Sequence, residues 1–411
     1  MHRSRHRFSA FITLTAALVS ACGASTEREE LSLSELTQIA SPAGPGSSEP
    51  NLTVSEQGRI YLTWQEQVDG AHELRFATLE GDRWSDARSI ARGDDWFVNW
   101  ADFPSLVVLP DGRLAAHYLR RNPTGERYHY DVEVRQSNDG GISWSEPVRP
   151  HRDGVPAEHG FVSLYPAGGG ELGIVWLDGR QYHARYGGSE EMMLHQTTLA
   201  ADGTLGPEVV IDDRICDCCQ TSWAITSQGP VIAYRNRSPE EVRDIYLARN
   251  VDGAWSTAAV HADGWEIAAC PVNGPAVAAD QNRVAVAWFT AAQDTPRVRI
   301  AFSHDAGATF SPPVQIDSGD PIGRVDVMLL NGENALVSWL ERVDGQAAEI
   351  RTRVVSRAGA EASNLVARST QARASGFPRM VRSGNEVVFA WTEAGDPSNV
   401  RVARARLAEG R

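Results

Sequence analysis

The residues best equipped for chemistry are clustered. Cys216-Asp217-Cys218-Cys219 and, one repeat further on, Cys270 put four thiols in the body of the chain. Thiols in an exported chain most often close as disulfides, here two, one of them tying Cys270 to the cluster. They can instead bind a thiophilic metal, Cu or Zn, or act in redox exchange. The C-x-C-C spacing is tighter than the usual zinc C-x-x-C and suits a soft ion better; His159 and His261 are nitrogen donors available to complete such a set. The second group is cationic. Asp178-Gly179-Arg180 turns tightly at its glycine, and Arg235-Asn236-Arg237 follows one repeat later, with Arg324 and Arg342 beyond. Guanidinium groups read carboxylates and sulfates through paired bonds, so these four stretches are the candidate anion-binding residues. Asp178, Glu266 and Asp102 are the candidate acids and bases. All 39 basic residues are arginine, which excludes a Schiff base, a P-loop lysine and a lysine general base. The net charge of -14 argues against nucleic acid as a partner.

A repeat positions these residues. A short strand, a glycine turn and an apolar strand ending at an aromatic or histidine recur at steps of roughly fifty residues, the period of a propeller blade. The strand ends are Trp64, His117, Trp176, Tyr234, Trp288, Trp339 and Trp391. Helical periodicity is nearly absent, so the chain is predicted to be all-β, a β-propeller of seven four-stranded blades. Leu33–Ala40 reads like the missing fourth strand of the last blade and closes the ring. In a propeller, the loops after second strands and those linking blades share one face. That topology gathers the arginines, acids, tryptophans and all four body cysteines on one rim.

The amino terminus reads as an address. Residues 1–21 have a basic start and a short apolar run, FSAFITLTAALVSA, as in a secretory signal. Val19-Ser20-Ala21-Cys22 resembles the bacterial lipobox, which implies acylation at Cys22 and a lipid anchor in the cell envelope, on the outer membrane or facing the periplasm. Residues 22–48 then form a tether containing the closing strand, and 49–411 the propeller, expected as a monomer.

Ser137-Asn138-Asp139-Gly140-Gly141-Ile142-Ser143-Trp144 and Ser303-His304-Asp305-Ala306-Gly307-Ala308-Thr309-Phe310 both fit Ser-x-Asp-x-Gly-x-Ser/Thr-Trp/Phe, the Asp-box. On these turns the body resembles the BNR-repeat propellers of the sialidase superfamily. The resemblance implies an exo-sialidase-type glycosidase, or a binding relative of one, that holds an acidic glycan by its arginines and needs no cofactor. It also implies six blades, against the seven counted, and a Tyr–Glu nucleophile pair with an Asp acid. The family's Phe/Tyr-Arg-Ile-Pro motif is absent; Asp102-Phe103-Pro104 and Gly376-Phe377-Pro378-Arg379 are faint echoes, and no spacing singles out a Tyr–Glu pair. Two other readings stay open: a non-catalytic surface scaffold, and a metal-handling lipoprotein using Cys216, Cys218, Cys219 and Cys270.

Overall fold

The computed structural model describes residues 32–408 apart from residue 124. The signal segment and the proposed acylation site Cys22 lie outside the described residues.

Second strands such as Ile60–Val68 and Leu172–Asp178 are buried along almost their whole length. They lie between neighbouring blades and are covered on both faces, so their sequences read as unbroken apolar runs. Outer strands such as Gly359–Thr370 are largely exposed. Seven antiparallel sheets result. Blade 1 is built on Ser47–Val54, Ile60–Val68, Ala71–Glu80 and Arg88–Gly93; blade 2 on Leu106–Val108, Leu114–Arg121 and Tyr130–Ser137, with its fourth strand reduced to a bridge between Val134 and Val148. Blade 3 comprises His159–Pro166, Leu172–Asp178, Met192–Leu199 and Val209–Ile215. Blade 4 comprises Ser222–Thr226, Gly229–Arg235, Ile245–Val251 and Ala254–Ala259. Blade 5 runs from Ala276–Asp280 to Val314–Gln315, and blade 6 from Pro321–Leu329 to Gly359–Thr370. Blade 7 holds Arg379–Ser383, Glu386–Glu393 and Asn399–Ala408. The seven aromatic or histidine strand ends are all buried, and the blade count is seven, not six.

Chain ends close the ring. Thr37–Ile39 pairs antiparallel with Asn399–Ala408, Thr37 opposite Arg404, and Ser32–Leu33 adds Leu33 opposite Leu407. The propeller therefore reaches amino-terminal of residue 49.

First strands touch one another around the axis. At the mouth, three of them carry a bulge with a residue at positive φ: Glu49 (54°), Phe161 (52°) and Arg324 (53°). Bulges re-aim backbone groups, and at the mouth backbone N–H groups, some at the bulges and some at plain first strands or the loops before them, stitch blades together. The Phe161 N–H donates to Asp102 Oδ1 (2.7 Å), Gly274 N–H to Gln220 Oε1 (3.0 Å), Arg324 N–H to Asn273 Oδ1 (2.8 Å) and Met380 N–H to Asp326 Oδ2 (2.9 Å). A Cβ on Gly274 would stand 2.1 Å from the Gln220 carbonyl oxygen, so only glycine allows that approach.

At the opposite face lie the two Ser-x-Asp turns, between third and fourth strands. Asp139 accepts from the Ser143 N–H (2.9 Å), the Ser143 hydroxyl (2.6 Å) and the Ser137 hydroxyl (2.8 Å); Asp305 repeats the pattern with Thr309 and Ser303. These carboxylates are fully used in holding turns and face away from the mouth.

Candidate functional site at the channel mouth

A repeated device accounts for several of the rim acids. Each second strand that ends Trp-x-acid in blades 1, 3 and 6 folds its indole N–H onto the carboxylate two residues on: Trp64 to Glu66 (2.8 Å), Trp176 to Asp178 (2.7 Å), Trp339 to Glu341 (2.5 Å). In blade 5 Trp288 finds Asp263 from the linking loop instead (2.6 Å). Asp178 is the blade 3 instance. It is fully buried and takes Arg180 Nε (2.7 Å) and Nη2 (2.6 Å). Burial alone would raise its carboxyl, but Arg180, His159 and His195 hold it down at about 2. Arg180 also pairs with Glu208.

The candidate arginines do not converge. Arg235 is buried and donates to the carbonyls of Asn273 (Nη2, 2.8 Å), Arg243 (Nη1, 2.6 Å) and Phe289 (Nη2, 2.8 Å), over the Trp265 ring at 4.9 Å. Arg237 pairs with Glu241 (2.7 Å), and Arg342 with Asp320 at the surface (2.9 Å). Glu266 is exposed on the outer rim, bridged by backbone to Val242. Asp102 is buried inside the mouth, where it accepts from the Phe161 N–H and the Tyr130 hydroxyl (2.8 Å).

Arg324 differs from Arg180, Arg237 and Arg342, which pair with acids, and from Arg235, which spends its donors on three carbonyls. Its side chain is only 4% exposed, its Nη1 donates to the carbonyls of Gly376 (3.0 Å) and Ala372 (3.2 Å), and no carboxylate among the described residues lies within ion-pair reach. It lies over Trp100 (4.7 Å) and Phe377 (5.9 Å). Burial, then the nearby Arg373, push it down to about 10. Trp100, Phe103 and Phe377 pack together as an aromatic lid with Phe161. Within the channel is a cavity of about 200 Å³ lined by first strands and the loops that lead into them, among them Asp102, Phe161, Gln220, Asp326 and Arg379.

The thiols form one group. Cys216 and Cys219 sulfurs stand 3.3 Å apart, Cys216 and Cys218 3.8 Å apart. Cys270 arrives from the next linking loop, 3.6 Å from Asp217 Oδ1, and its sulfur, Asp217 and Cys218 lie mutually within 4.8 Å. The expected disulfides are not formed: all four thiols are free, and the sulfurs exceed the about 2.05 Å of an S–S bond. The tight C-x-C-C turn converges three sulfurs on one point instead of sending them to separate partners. Arg243, buried, donates to Cys216 Sγ (3.3 Å) and Asp217 (3.2 Å). Burial would raise Cys216, yet its sulfur neighbours and then Arg243 and Arg235 bring it well below the ordinary thiol range; Cys218 and Cys219 are pushed up.

Several mouth residues were missed by sequence reasoning. Tyr130 and Glu158 form a Tyr–Glu contact (3.0 Å) that shares the phenol with Asp102. Tyr130 is 1% exposed and stacked on Phe97 at 3.9 Å, and its hydroxyl meets carboxyls, not arginines. Burial raises Glu158 and Glu49 to about 8 and Asp102 to about 7. Beside them His151 and His159 stack at 3.7 Å with Asp153 bonded to both, a buried group with Asp131 that offers nitrogen and oxygen ligands. Tyr130 begins a third strand and Arg243 lies two residues before one. Third-strand starts share the mouth with second-strand ends, and that rule of topology would have found both.

No protein-family model matches the chain, and no curated protein matches its sequence. Solved structures do. The fold is shared with a polysaccharide lyase. That enzyme, Uly1, superposes with a TM-score of 0.52 at 9% identity over 88% of this chain and 90% of its own. An alpha-L-arabinofuranosidase from Fusarium graminearum gives 0.49 at 12% identity over 90% and 96%, and the NanB sialidase from Streptococcus pneumoniae, as a point mutant, 0.47 at 10% over 93% of each. At such identities the likeness is one of architecture.

Proposed function

We propose that this protein is a carbohydrate-binding propeller that takes an acidic glycan at the mouth of its channel. The observation that carries the reading is Arg324, a buried guanidinium that no carboxylate neutralises, beside the Trp100 ring. A carboxylate or sulfate on a sugar would supply the missing charge, and an aromatic face suits the sugar ring. Arg180, Arg237 and Arg342 already have acidic partners and Arg235 spends its donors on three backbone carbonyls, which leaves Arg324 as the reader. The shared fold with a polysaccharide lyase supports a carbohydrate ligand. Binding is favoured over sialidase-type hydrolysis because the phenol of the Tyr130–Glu158 pair is buried and no arginine faces it. Acylation at Cys22 would hold the propeller at the cell envelope.

The test is a binding screen of carboxylated, sulfated and neutral oligosaccharides on wild type and Arg324→Met. The expected result is binding confined to charged sugars and weakened at least about tenfold in the variant, roughly one charge-assisted hydrogen bond. Equal binding by both proteins, or a preference for neutral sugars, overturns it.

A further inference from the structure

The free thiols at the junction of blades 3, 4 and 5 have no place in glycan binding, and their geometry has a chemical meaning of its own. Cys216, Cys218 and Cys219 come from one turn, Cys270 from the loop one blade on. Three sulfurs lie mutually within 4.8 Å, and the fourth reaches the set through Cys218. Four thiolates around a metal at about 2.3 Å require sulfur separations of about 3.8 Å; Cys216 and Cys218 stand at 3.8 Å, and Cys216 and Cys219, at 3.3 Å, need to part by only about half an ångström. The donors are graded in depth: Cys216 and Cys219 are buried, Cys218 is intermediate and Cys270 exposed, so an ion can enter from the mouth and be closed over by the last ligand. Two buried guanidinium groups lie behind the cluster. Arg243 touches Cys216 Sγ directly, and Arg235 holds Arg243's own carbonyl. Such cations balance the negative charge that several thiolates around one ion accumulate, which a hydrophobic wall would not do.

We propose that Cys216, Cys218, Cys219 and Cys270 form a binding site for one thiophilic d10 metal ion, Cu(I) or Zn(II), bridging the loops that enter blades 4 and 5. All-sulfur donor sets select these ions over hard cations such as Mg(II) or Ca(II). Each thiol that binds gives its proton to solvent. The ion holds two blade-linking loops together, as a disulfide from Cys270 would, but reversibly. The site is separate from Arg324, so the two readings stand or fall independently.

The experiment uses the full chain, reduced and kept free of oxygen, loaded separately with Zn(II) and with Cu(I), desalted, and assayed by elemental analysis and native mass. The expected result is about one ion per chain, lost in Cys218→Ser/Cys219→Ser and bound at least about tenfold more weakly in Cys270→Ser. Circular dichroism of each variant shows that the propeller is folded. Loading in the presence of a Cu(I)-specific chelator distinguishes the two ions: retention of copper assigns Cu(I), retention of zinc alone assigns Zn(II). Less than about 0.1 ion of either metal on wild type, or equal loading of the double variant, overturns the proposal. So does a never-reduced sample whose mass is lower by the hydrogens of two disulfides.

Discussion

Blades 3 and 4 are neighbours built on the same repeat, and they finish their second strands in opposite ways. Where blade 3 runs Trp176-Leu177-Asp178, blade 4 runs Tyr234-Arg235-Asn236. The blade 3 acid is held between an indole and Arg180. In blade 4 the acid position holds Asn236, whose amide donates to Asp212 (3.0 Å), while Arg235 just before it puts a guanidinium on three carbonyls and Arg243 is added beside the sulfurs. Blades 1 and 6 follow blade 3. The indole-held carboxylate thus recurs in three blades, and the blade that carries a buried guanidinium beside that position lies next to the thiol cluster. A carboxylate placed there would oppose thiolate charge, whereas guanidinium supports it.

The largest effect is expected at the departure itself. Arg235→Met leaves three buried carbonyls without donors and is expected to cost about 3–5 kcal/mol in urea denaturation. A loss under about 1 kcal/mol would mean that the guanidinium is not structural and would break the contrast. Next come the carboxylates of the ordinary blades. Asp178→Asn weakens the partner of a mostly buried arginine and should cost about 2–4 kcal/mol. Glu341→Gln keeps an acceptor for the backbone N–H groups of Ser318 and Asp320 and should cost about 1 kcal/mol. Equal losses would show that the acid's worth lies in the indole bond common to both blades.

The smallest effect is a slope. Glu158 titrates at about 8 in the fold, above an ordinary carboxyl. The folded state therefore holds a proton that the unfolded chain has released, and this contribution to stability is present at low pH and lost as pH rises through about 8. Glu158→Gln removes the titration. Its melting temperature should gain on wild type by a few degrees as pH rises from about 5 to about 8, with no further gain above that. A constant difference across that window would place Glu158 in a wetter setting than its contacts with Tyr130 imply.

The repeat was legible because its signal is local. Apolar second strands ending at Trp64, Trp176, Trp288 and Trp339 report burial on both faces, and the glycine turns report their spacing. Ring closure by residues near 33–40 was legible from the same pattern. The site was less so. Asp178 and Arg235 look like ligand readers in sequence, since a charged residue at a rim carries no mark of whether an indole or a carbonyl from another blade will claim it. Arg324's isolation depends on carbonyls of Ala372 and Gly376 some fifty residues away. The state of the cysteines was not legible because pairing depends on where Cys270 lands, and that is set by two loops and a blade boundary.

The strand at Thr37–Ile39 has a consequence for the order of events during synthesis. Its partner, Asn399–Ala408, comes most of the chain later, so this strand waits for nearly all the blades to be made before it can pair. Six blades can form their sheets from neighbouring sequence as they appear, while the seventh joins residues separated by most of the chain's length. Without that pairing the last blade would keep three strands and the edge of Asn399–Ala408 would stand open. The same join of the chain's two ends sets Trp100, from the loop between blades 1 and 2, against Arg324 of blade 6 and Phe377 before blade 7, so the Arg324 site depends on ring closure.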